Sequence, residues 1–451
     1  MISRNKLHTV SSKFNKKLLL ALTLSVLSLA VVWTTAILTE THIAQAAPGD
    51  WQWQKRSNGI VGDALYSLSI ASSTDGTKLA MAAINTGYIY TSTDSGASWT
   101  EQTSAGQRLW FSITSSADGT KLAAVDGDNG YIYTSTDSGA SWTEQTSSGQ
   151  RAWQSITSSA DGTKLAAVDG LDNNGYIYTS TDSGASWTEQ SSVGQRSWRS
   201  IASSADGTKL AAVDNNNGYI YTSTDSGASW TEQTSAGQRN WNSITSSTDS
   251  TKLAAVDGDN GYIYTSTDSG ASWTEQTSAG QRNWQSITSS ADGTKLAAVD
   301  NNNGYIYTST DSGASWTEQT SSGQRTWASI ISSADGTKLA AVAAMGSVYT
   351  STNSGVSWTE QTVMGSRMWY SVTSDSSGTK LAAASIYGYI YTSTDSGATW
   401  TEQTSSGQRT WAPPAAPAGG SGRGAVEKTG PPSPPPGPGA RGQQGGEPGH
   451  P

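Results

Sequence analysis

The 451-residue chain contains no cysteine, and its only histidines are His8, His42 and His450. Without cysteine it cannot form disulfides, so a folded body must take its stability from a hydrophobic core. The long stretch between His42 and His450 also lacks the residues for a Ser-His-Asp triad, a Cys-His pair or a histidine-ligated zinc or iron site. Chemistry in that stretch would have to use carboxylates, Tyr, Arg or Lys.

Proline is almost confined to one end of the chain. Eleven of the twelve prolines fall within residues 412–451, a segment that is rich in glycine and poor in apolar residues. Such a composition predicts a disordered tail over 412–451. A ninth repeat begins just before it, at Gln408, Arg409 and Trp411, and we interpret its interruption as a truncation or frame change in the gene.

The amino end has the layout of a secretory signal. Basic residues precede an apolar segment that starts at Leu18, and Ala44-Gln45-Ala46 supplies small residues for cleavage. We expect residues 1–47 to be this signal and the protein to be secreted or attached to the cell envelope, with an uncleaved membrane anchor as the alternative. Cleavage removes five basic residues and one acidic residue, which changes the net charge from −9 to −13. A body this acidic is a poor nucleic-acid partner.

Between these ends, over residues 48–411, an octet of the form Ser-Thr-Asp-Ser-Gly-Ala-Ser-Trp occurs eight times. The copies start at Ser92, Ser135, Ser180, Ser223, Ser266, Ser309, Ser351 and Ser393, so the spacing is 42 to 45 residues. A period in this range indicates a β-propeller or a similar repeat array. Each unit reads as four strands joined by turns: in residues 108–149, an alternating strand A, a small apolar strand B, a Tyr-Ile-Tyr strand C and a strand D that begins after the octet.

The octet pattern Ser-x-Asp-x-Gly-x-x-Trp resembles the Asp box, also called the bacterial neuraminidase repeat. That motif is known from sialidases, sortilin-like receptors, some glucanases and photosystem II assembly factors, which share the turn and not the activity. The resemblance covers all eight octets and implies an all-β propeller of four-stranded antiparallel blades, with the octet as a structural turn. Its structural residues would be Asp94, Trp99, Asp137, Trp142, Asp182, Trp187, Asp225, Trp230, Asp268, Trp273, Asp311, Trp316, Trp358, Asp395 and Trp400. Asn353 replaces the aspartate of the seventh octet, which puts the hydrogen bonds of that turn in doubt.

Eight complete units favour eight blades, with seven blades and a misfit unit as the alternative. Residues 51–55 resemble a stray strand D, and their natural partners would be strands of the interrupted ninth unit. We therefore expect a ring that closes imperfectly or carries an extra strand.

The candidate binding residues follow each strand D. In propellers the octets and A–B turns share one face, whereas the Gln-Arg-x-Trp segments and the Asn/Asp-rich B–C loops share the other, where the related families bind ligands. A ring of arginine and tryptophan would offer charge and a stacking surface to an anionic ligand. The alternative is a purely structural role, in which Trp packs between blades and Arg pairs with a nearby carboxylate. The candidates are Arg108, Trp110, Arg151, Trp153, Arg196, Trp198, Arg239, Trp241, Arg282, Trp284, Arg325, Trp327, Arg367 and Trp369.

The B–C loops also suggest calcium, because Asp126 and Asp128 alternate as oxygen donors. They lack the later bidentate acid of a calcium loop, so we expect Asx-type turns and no metal. The sequence as a whole favours a monomeric, non-enzymatic propeller without a cofactor that binds a glycan or a protein or peptide with anionic groups. It would meet a membrane only through an uncleaved amino-terminal segment. An assembly or stability role is what the resemblance to photosystem II factors implies.

Two alternatives stay open: a glycoside hydrolase of sialidase-like or glucanase type, and a structural surface repeat protein. The hydrolase would need two carboxyl groups in unlike surroundings. The eight glutamates from Glu101 to Glu402 instead occupy equivalent positions, and the Arg-Ile-Pro stretch of sialidases is absent.

Overall fold

The computed structural model describes residues 69–83, 87–170, 173–386 and 388–404. Within them, 32 strands form eight four-stranded antiparallel sheets, and each sheet comes from one repeat. These are the eight blades of a β-propeller, as the octet count predicts, so the seven-blade alternative is wrong. The predicted signal segment 1–47 and the predicted tail 412–451 lie outside the described residues.

The strands run A, B, C, D from the axis outwards in every blade. Blade 1 is β1 Ser69–Ser72, β2 Leu79–Ala82, β3 Ile89–Ser92 and β4 Thr100–Gln102; blade 2 is β5 Trp110–Ser115, β6 Leu122–Asp126, β7 Ile132–Ser135 and β8 Thr143–Gln145; blade 3 is β9 Trp153–Ser158, β10 Leu165–Asp169, β11 Ile177–Ser180 and β12 Thr188–Glu189; blade 4 is β13 Trp198–Ser203, β14 Leu210–Asp214, β15 Ile220–Ser223 and β16 Thr231–Gln233. Blade 5 is β17 Trp241–Ser246, β18 Leu253–Asp257, β19 Ile263–Ser266 and β20 Thr274–Gln276; blade 6 is β21 Trp284–Ser289, β22 Leu296–Asp300, β23 Ile306–Ser309 and β24 Thr317–Gln319; blade 7 is β25 Trp327–Ser332, β26 Leu339–Ala343, β27 Val348–Ser351 and β28 Thr359–Glu360; blade 8 is β29 Trp369–Ser374, β30 Leu381–Ser385, β31 Ile390–Ser393 and β32 Thr401–Gln403.

Short 3-10 turns follow strand D and lead to the next blade. They are Thr103–Ala105, Thr146–Ser148, Ser191–Val193, Thr234–Ala236, Thr277–Ala279, Thr320–Ser322 and Thr362–Met364. No helix among the described residues is long and apolar enough to cross a membrane.

The hydrophobic core consists of eight clusters, one between each pair of neighbouring blades. Between blades 1 and 2, Ala71, Ala80 and Ala82 pack against Trp110 and Leu122. Strand B is buried along its whole length in every blade, which explains its unbroken run of small apolar residues. Small side chains on one blade leave room for the large side chains of the next, so neighbouring sheets pack closely.

A belt of backbone hydrogen bonds joins the eight A–B turns. The amide of Thr74 donates to the carbonyl of Ala117 at 2.7 Å, Ala117 donates to Ala160 at 2.7 Å, and the pattern continues blade by blade. The last bond runs from the amide of Ser376 to the carbonyl of Thr74 at 2.9 Å, so blade 8 meets blade 1 as other neighbours meet. The described blades thus close the ring without sharing a strand; residues 51–55 and 409–411, on which imperfect closure was expected to depend, lie outside the described residues.

Each octet forms the turn between strands C and D. In the first, Asp94 accepts hydrogen bonds from the backbone N–H of Ser98 at 2.8 Å and from its hydroxyl at 2.5 Å, and Trp99 Nε1 donates to the carbonyl of Gly96 at 3.1 Å. Gly96 has a φ of +85°, and a Cβ there would lie 2.4 Å from the Thr392 side chain of blade 8. The octet therefore needs its glycine both for the backbone conformation and for contact with the neighbouring blade.

The seventh octet keeps the bonds between positions 353 and 357 although asparagine replaces its aspartate, whereas Trp358 Nε1 has no hydrogen-bond partner among the described residues. Asn353 Oδ1 accepts the backbone N–H of Ser357 at 3.0 Å, and Asn353 Nδ2 donates to the Ser357 hydroxyl at 2.9 Å. The substitution therefore does not remove these side-chain bonds, because an amide supplies the same acceptor and adds a donor.

Candidate functional site

The connections of each blade lie on two opposite faces of the propeller. The A–B turns and octets share what we call the turn face, where the amide of Ser95 in the octet donates to the carbonyl of Thr77 in the A–B turn at 2.8 Å. The D–A connections and B–C loops share the loop face. There each D–A connection pairs with the B–C loop of the preceding blade, as Arg151 does with Gly130 through bonds of 2.8 and 3.1 Å.

Each predicted arginine of the loop face is held by side chains of its own blade. Arg108 lies 3.5 Å from Asp126 and 3.4 Å from Glu144, and its guanidinium lies 4.5 Å from the centre of the Tyr133 ring. Tyr133 in turn donates its hydroxyl hydrogen bond to Glu144. The glutamate pair recurs at 3.1 to 3.6 Å in blades 2–8, and the arginine side chains are only 29 to 36% exposed. These contacts match the alternative given above, in which each arginine pairs with a nearby carboxylate.

The seven predicted tryptophans are buried between blades. Trp110, Trp153 and their equivalents are at most 1% exposed, and Trp153 Nε1 donates to the carbonyl of Gly130 in the preceding blade at 3.0 Å. Each ring meets the strand C tyrosine of its own blade edge to face, at 5.1 Å for Trp110 and Tyr133. The indoles therefore offer no stacking surface, contrary to the expected role in a ligand surface, because they fill the gap between sheets. A ligand role for the arginines stays a prediction.

Burial sets the ionisation of the groups beside these arginines. It raises the pKa of Asp169 to about 6 and also raises the pKa of its equivalents Asp126, Asp214, Asp257 and Asp300. Burial also raises the pKa of the strand C tyrosines of blades 2–8 above the ordinary value, and the hydrogen bond to glutamate adds to this in blade 2. Tyrosines with raised pKa values are poor nucleophiles, since the reactive phenolate is disfavoured.

One position on the loop face differs from blade to blade although its neighbours do not. It follows the buried tryptophan of strand A, where the pairing with strand B shifts register, so it is the extra residue of a β-bulge in blades 2–8. Every side chain at this position is partly exposed. We call this set the collar: Phe111, Gln154, Arg199, Asn242, Gln285, Ala328 and Tyr370.

Hydrogen bonds between blades place the collar around the central channel. Arg199 Nε donates to Asn242 Oδ1 at 3.3 Å, and Asn242 Nδ2 donates to Gln285 Oε1 at 3.3 Å. Asn301, from the B–C loop of blade 6, also donates to Gln285 Oε1 at 2.9 Å. The collar belongs to the strands A, which contact one another side by side from blade to blade.

A second variable position precedes the buried tryptophan. We call this set the rim: Leu109, Ala152, Ser197, Asn240, Asn283, Thr326 and Met368. Collar and rim are apolar in blades 8 and 2 and carry four amides in blades 5 and 6. Sequence reasoning noted Met368 and Tyr370 as departures from the repeat but interpreted them as features of a terminal unit, and it did not predict either set as a site because it looked for residues that recur. A position-by-position comparison of the repeats for residues that change would have found both sets.

Blades 7 and 8 depart further from the common pattern. Ala343 and Ser385 replace the aspartate of strand B, so within the described part of the chain the ion pairs of Arg325 and Arg367 are each with one glutamate, at 3.6 Å in both cases. Blade 7 also exposes Met345 by 80% in its B–C loop and Val363 by 91% in the connection to blade 8. The apolar exposure of this face is thus concentrated on one side of the ring.

The B–C loops of blades 2, 4, 5 and 6 form Asx-type turns. Asp126 accepts the backbone N–H of Asp128 at 3.1 Å, and Asp300 accepts that of Asn302 at 2.9 Å. No group of three or more metal-ligating side chains occurs within the described ranges. At the opposite end of the channel, on the turn face, a cavity of about 400 Å³ is lined by serine, threonine and alanine from all eight blades together with Asp375.

A scan of protein-family models finds no match, and no curated protein is similar in sequence. Among solved structures, Sqt1 of Chaetomium thermophilum, solved with the amino terminus of a ribosomal protein, matches with a TM-score of 0.52 and 14% identity over 70% of this chain and 93% of that chain. YCF48 of Cyanidioschyzon merolae matches with a TM-score of 0.46 and 13% identity over 63% and 93%.

A GH74 enzyme of Niastella koreensis matches with a TM-score of 0.39 and 19% identity over 74% of this chain. The match covers 62% of that enzyme, so this chain spans less than two thirds of its length. At these identities the similarity shows a shared β-propeller fold only.

Proposed function

We propose that this chain is a secreted or envelope-associated, non-enzymatic propeller of the Asp-box type, and that it binds a protein or peptide partner through the collar and rim. Sqt1 has the same fold and was solved with a peptide segment, so such a role is compatible with the architecture. An assembly or stability factor is the form of this function that the resemblance of the octets suggests.

The observation that carries the proposal is where the repeats differ. Exposure alone does not explain the pattern, because Thr93 and Thr100 on the octet hairpin are exposed and threonine returns at both positions in all eight blades. Apart from the exposed Thr326, the collar and rim residues are only partly exposed, yet almost every blade has a different residue there. Variation gathered around one opening, on a scaffold otherwise repeated, is what a binding site on a fixed framework requires.

The side chains at this opening suit a polypeptide. The amides of Asn242 and Gln285 both donate and accept hydrogen bonds, which matches the peptide backbone. On the other side of the ring, Phe111, Tyr370 and Met368 pack against the core between blades and remain partly exposed. Mixed aromatic and amide surfaces are typical of protein and peptide recognition.

The strand D glutamates do not favour the hydrolase alternative. Glu144, Glu189, Glu232, Glu275, Glu318 and Glu402 each accept the hydroxyl hydrogen bond of the strand C tyrosine in their own blade. A glycosidase pair needs one carboxyl group that differs from the other in its surroundings, and these carboxylates share one environment.

The test is a selection with the purified full chain from a display library of random peptides, together with a glycan array. A loop-face variant carries Phe111→Gln and Tyr370→Gln, since blades 3 and 6 already have glutamine at this position. A turn-face control carries Asp268→Asn, because the seventh octet already has asparagine. Selected peptides should bind wild type and control alike and bind the loop-face variant about tenfold or more weakly, the equivalent of about 1.4 kcal/mol.

Equal binding of the selected peptides to all three proteins would overturn the assignment to this face. Binders on the glycan array alone, lost in the loop-face variant, would overturn the peptide class and keep the face.

A further inference from the structure

Arg199 is the one charged residue of the collar, and it differs from the other arginines of the loop face. The seven arginines at the start of strand A each form an ion pair with a glutamate of their own blade. Arg199 lies three residues beyond one of them, at the bulge of β13. Its hydrogen bond in the structure joins Nε to Asn242 Oδ1 at 3.3 Å, and no carboxylate among the described residues lies within ion-pair distance.

This cation is also withdrawn from solvent. Arg199 is partly buried at the inner end of the blade, and burial lowers the pKa of its guanidinium below the ordinary value. Taking a charge out of water without a partner is costly, so buried charges are normally paired. Glutamine stands at the same position in blades 3 and 6, so the fold does not require a cation here. The charge therefore has a use that the framework does not explain.

An aromatic residue lies on the opposite side of the channel. In a ring of eight blades, blade 4 faces blade 8, so Arg199 lies across the axis from Tyr370. Phe111 of blade 2 lies a quarter of the ring from both residues, and the amides of Asn242 and Gln285 continue from Arg199 through blades 5 and 6. The collar of blades 2–8 thus has one cationic residue, amides beside it in blades 3, 5 and 6, and aromatic residues in blades 2 and 8.

We propose that the collar binds the carboxyl terminus of a peptide whose last side chain is apolar. The terminal carboxylate pairs with the Arg199 guanidinium, the amides of Gln154 and Asn242 bond the last peptide groups, and the apolar side chain lies against Phe111 and Tyr370. A single guanidinium matches a group of charge −1 better than a phosphate, which carries about −1.5 to −2 and is usually held by several cations. The inference rests on the proposed function and names the ligand chemistry of the same site.

The test uses the full chain and fluorescence anisotropy with matched labelled peptides. One series, displayed with free carboxyl termini, is selected for binding, and each selected peptide is then made as the free acid and as the carboxamide. Wild type should bind the acid about tenfold or more tightly than the amide, as loss of a charge-assisted hydrogen bond predicts. Arg199→Gln should bind both forms equally and weakly, and it is expected to fold because blades 3 and 6 carry glutamine there.

The matched control is the turn-face variant Asp268→Asn, which lies outside the collar and carries the asparagine that the seventh octet already has. It should keep the preference of wild type for the free acid. Acetyl-leucine as competitor separates the two sources of an apolar carboxylate: displacement only at concentrations far above those of the peptide supports a peptide ligand, whereas equal potency overturns it in favour of a small molecule.

Other outcomes separate this inference from the proposed function. Equal affinity of wild type for acid and amide, with binding still lost in the Phe111→Gln and Tyr370→Gln variant, overturns the carboxylate clamp and leaves the peptide-binding face intact. A preference for the acid that survives Arg199→Gln overturns the assignment to Arg199. If the selection yields no peptide that binds, both the clamp and the peptide-binding function are overturned.

Discussion

The two faces of this propeller are built from the same repeats, but they differ in how far their residues vary between blades. On the turn face, octets, A–B turns and the backbone belt are nearly alike in every blade, and their aspartates are exposed carboxylates held by hydrogen bonds, which lower the pKa of Asp118 and Asp161 to about 2. On the loop face, the aspartates that end strand B, such as Asp169, are buried with raised pKa values, and the collar and rim change from blade to blade. The residues that recur on the turn face serve the fold, whereas the fold does not require any one residue at the collar and rim positions.

The largest expected effect is the difference in unfolding free energy between substituting a recurring residue and substituting a variable residue of the loop face. Trp284 and Gln285 are neighbours on β21, but Trp284 is fully buried between blades. Trp284→Ala should lower the free energy of unfolding by about 3–5 kcal/mol because it leaves a large cavity. Gln285→Ala should lower it by less than about 1 kcal/mol, because a single partly exposed amide is lost. Urea unfolding of both variants measures the difference, and similar losses would remove the distinction between framework and collar.

The next effect concerns an octet. Asp268 accepts hydrogen bonds from the Ser272 amide at 2.9 Å, the Ser272 hydroxyl at 2.6 Å and the Ser266 hydroxyl at 2.8 Å. Asp268→Ala should lower the free energy of unfolding by about 1–2 kcal/mol, whereas Asp268→Asn should cost less than half of that, since Asn353 keeps its turn bonds. Neither variant should change peptide affinity. Weaker peptide binding by stable Asp268→Asn protein would assign the turn face a part in recognition.

A smaller effect compares two arginines of one blade. Arg196 pairs with Glu232 and lies 4.6 Å from the centre of the Tyr221 ring, so Arg196→Gln should cost about 1 kcal/mol in unfolding free energy. Arg199 has no such carboxylate among the described residues, so Arg199→Gln should leave the unfolding free energy unchanged or raise it slightly. Chemical denaturation checks both, and an equal loss would show that Arg199 also serves the framework.

The smallest expected effect is that the contributions of two aspartates to the unfolding free energy change with pH in opposite directions. Hydrogen bonds lower the pKa of Asp161 to about 2, so its contribution to stability is present above the ordinary value of 3.8 and is lost as the pH falls through about 2. Burial raises the pKa of Asp169 to about 6, so its contribution is present below 3.8 and is lost as the pH rises through about 6.

Unfolding free energies of Asp161→Asn and Asp169→Asn, each relative to wild type across this pH range, measure the two slopes. The advantage of wild type over Asp161→Asn should shrink towards acid. Its advantage over Asp169→Asn should shrink towards neutral pH. Slopes of the same sign would mean that the two faces do not differ in electrostatics.

Most of the fold was predictable because the information is local and repeated eight times. Gly96 with its following Trp99 marks the turn, the run Leu122–Asp126 marks a strand buried on both sides, and the period gives the number of blades. Closure was harder to predict, because it depends on the bond from Ser376 to Thr74, between residues about 300 positions apart. Neither segment's own sequence indicates that contact.

For the candidate site, the sequence predicted only the face of the propeller on which it lies. Recurrence drew attention to Arg108 and Trp110, but recurrence is also what a framework requires, and the structure places Trp110 in the core and Arg108 in an ion-pair network. The collar depends on a β-bulge, at which residues such as Phe111 and Arg199 have no partner in the register with strand B. A bulge is a property of the pairing between two strands, so the alternation within strand A alone could not reveal it.

The most direct test of the division between faces is hydrogen–deuterium exchange of the full chain with and without a selected peptide. Bound peptide should slow the exchange of backbone amides in the D–A connections and B–C loops, most strongly next to Arg199, Phe111 and Tyr370. The octets should exchange at the same rate in both samples. Protection of the octets without protection of the loop face would contradict the account.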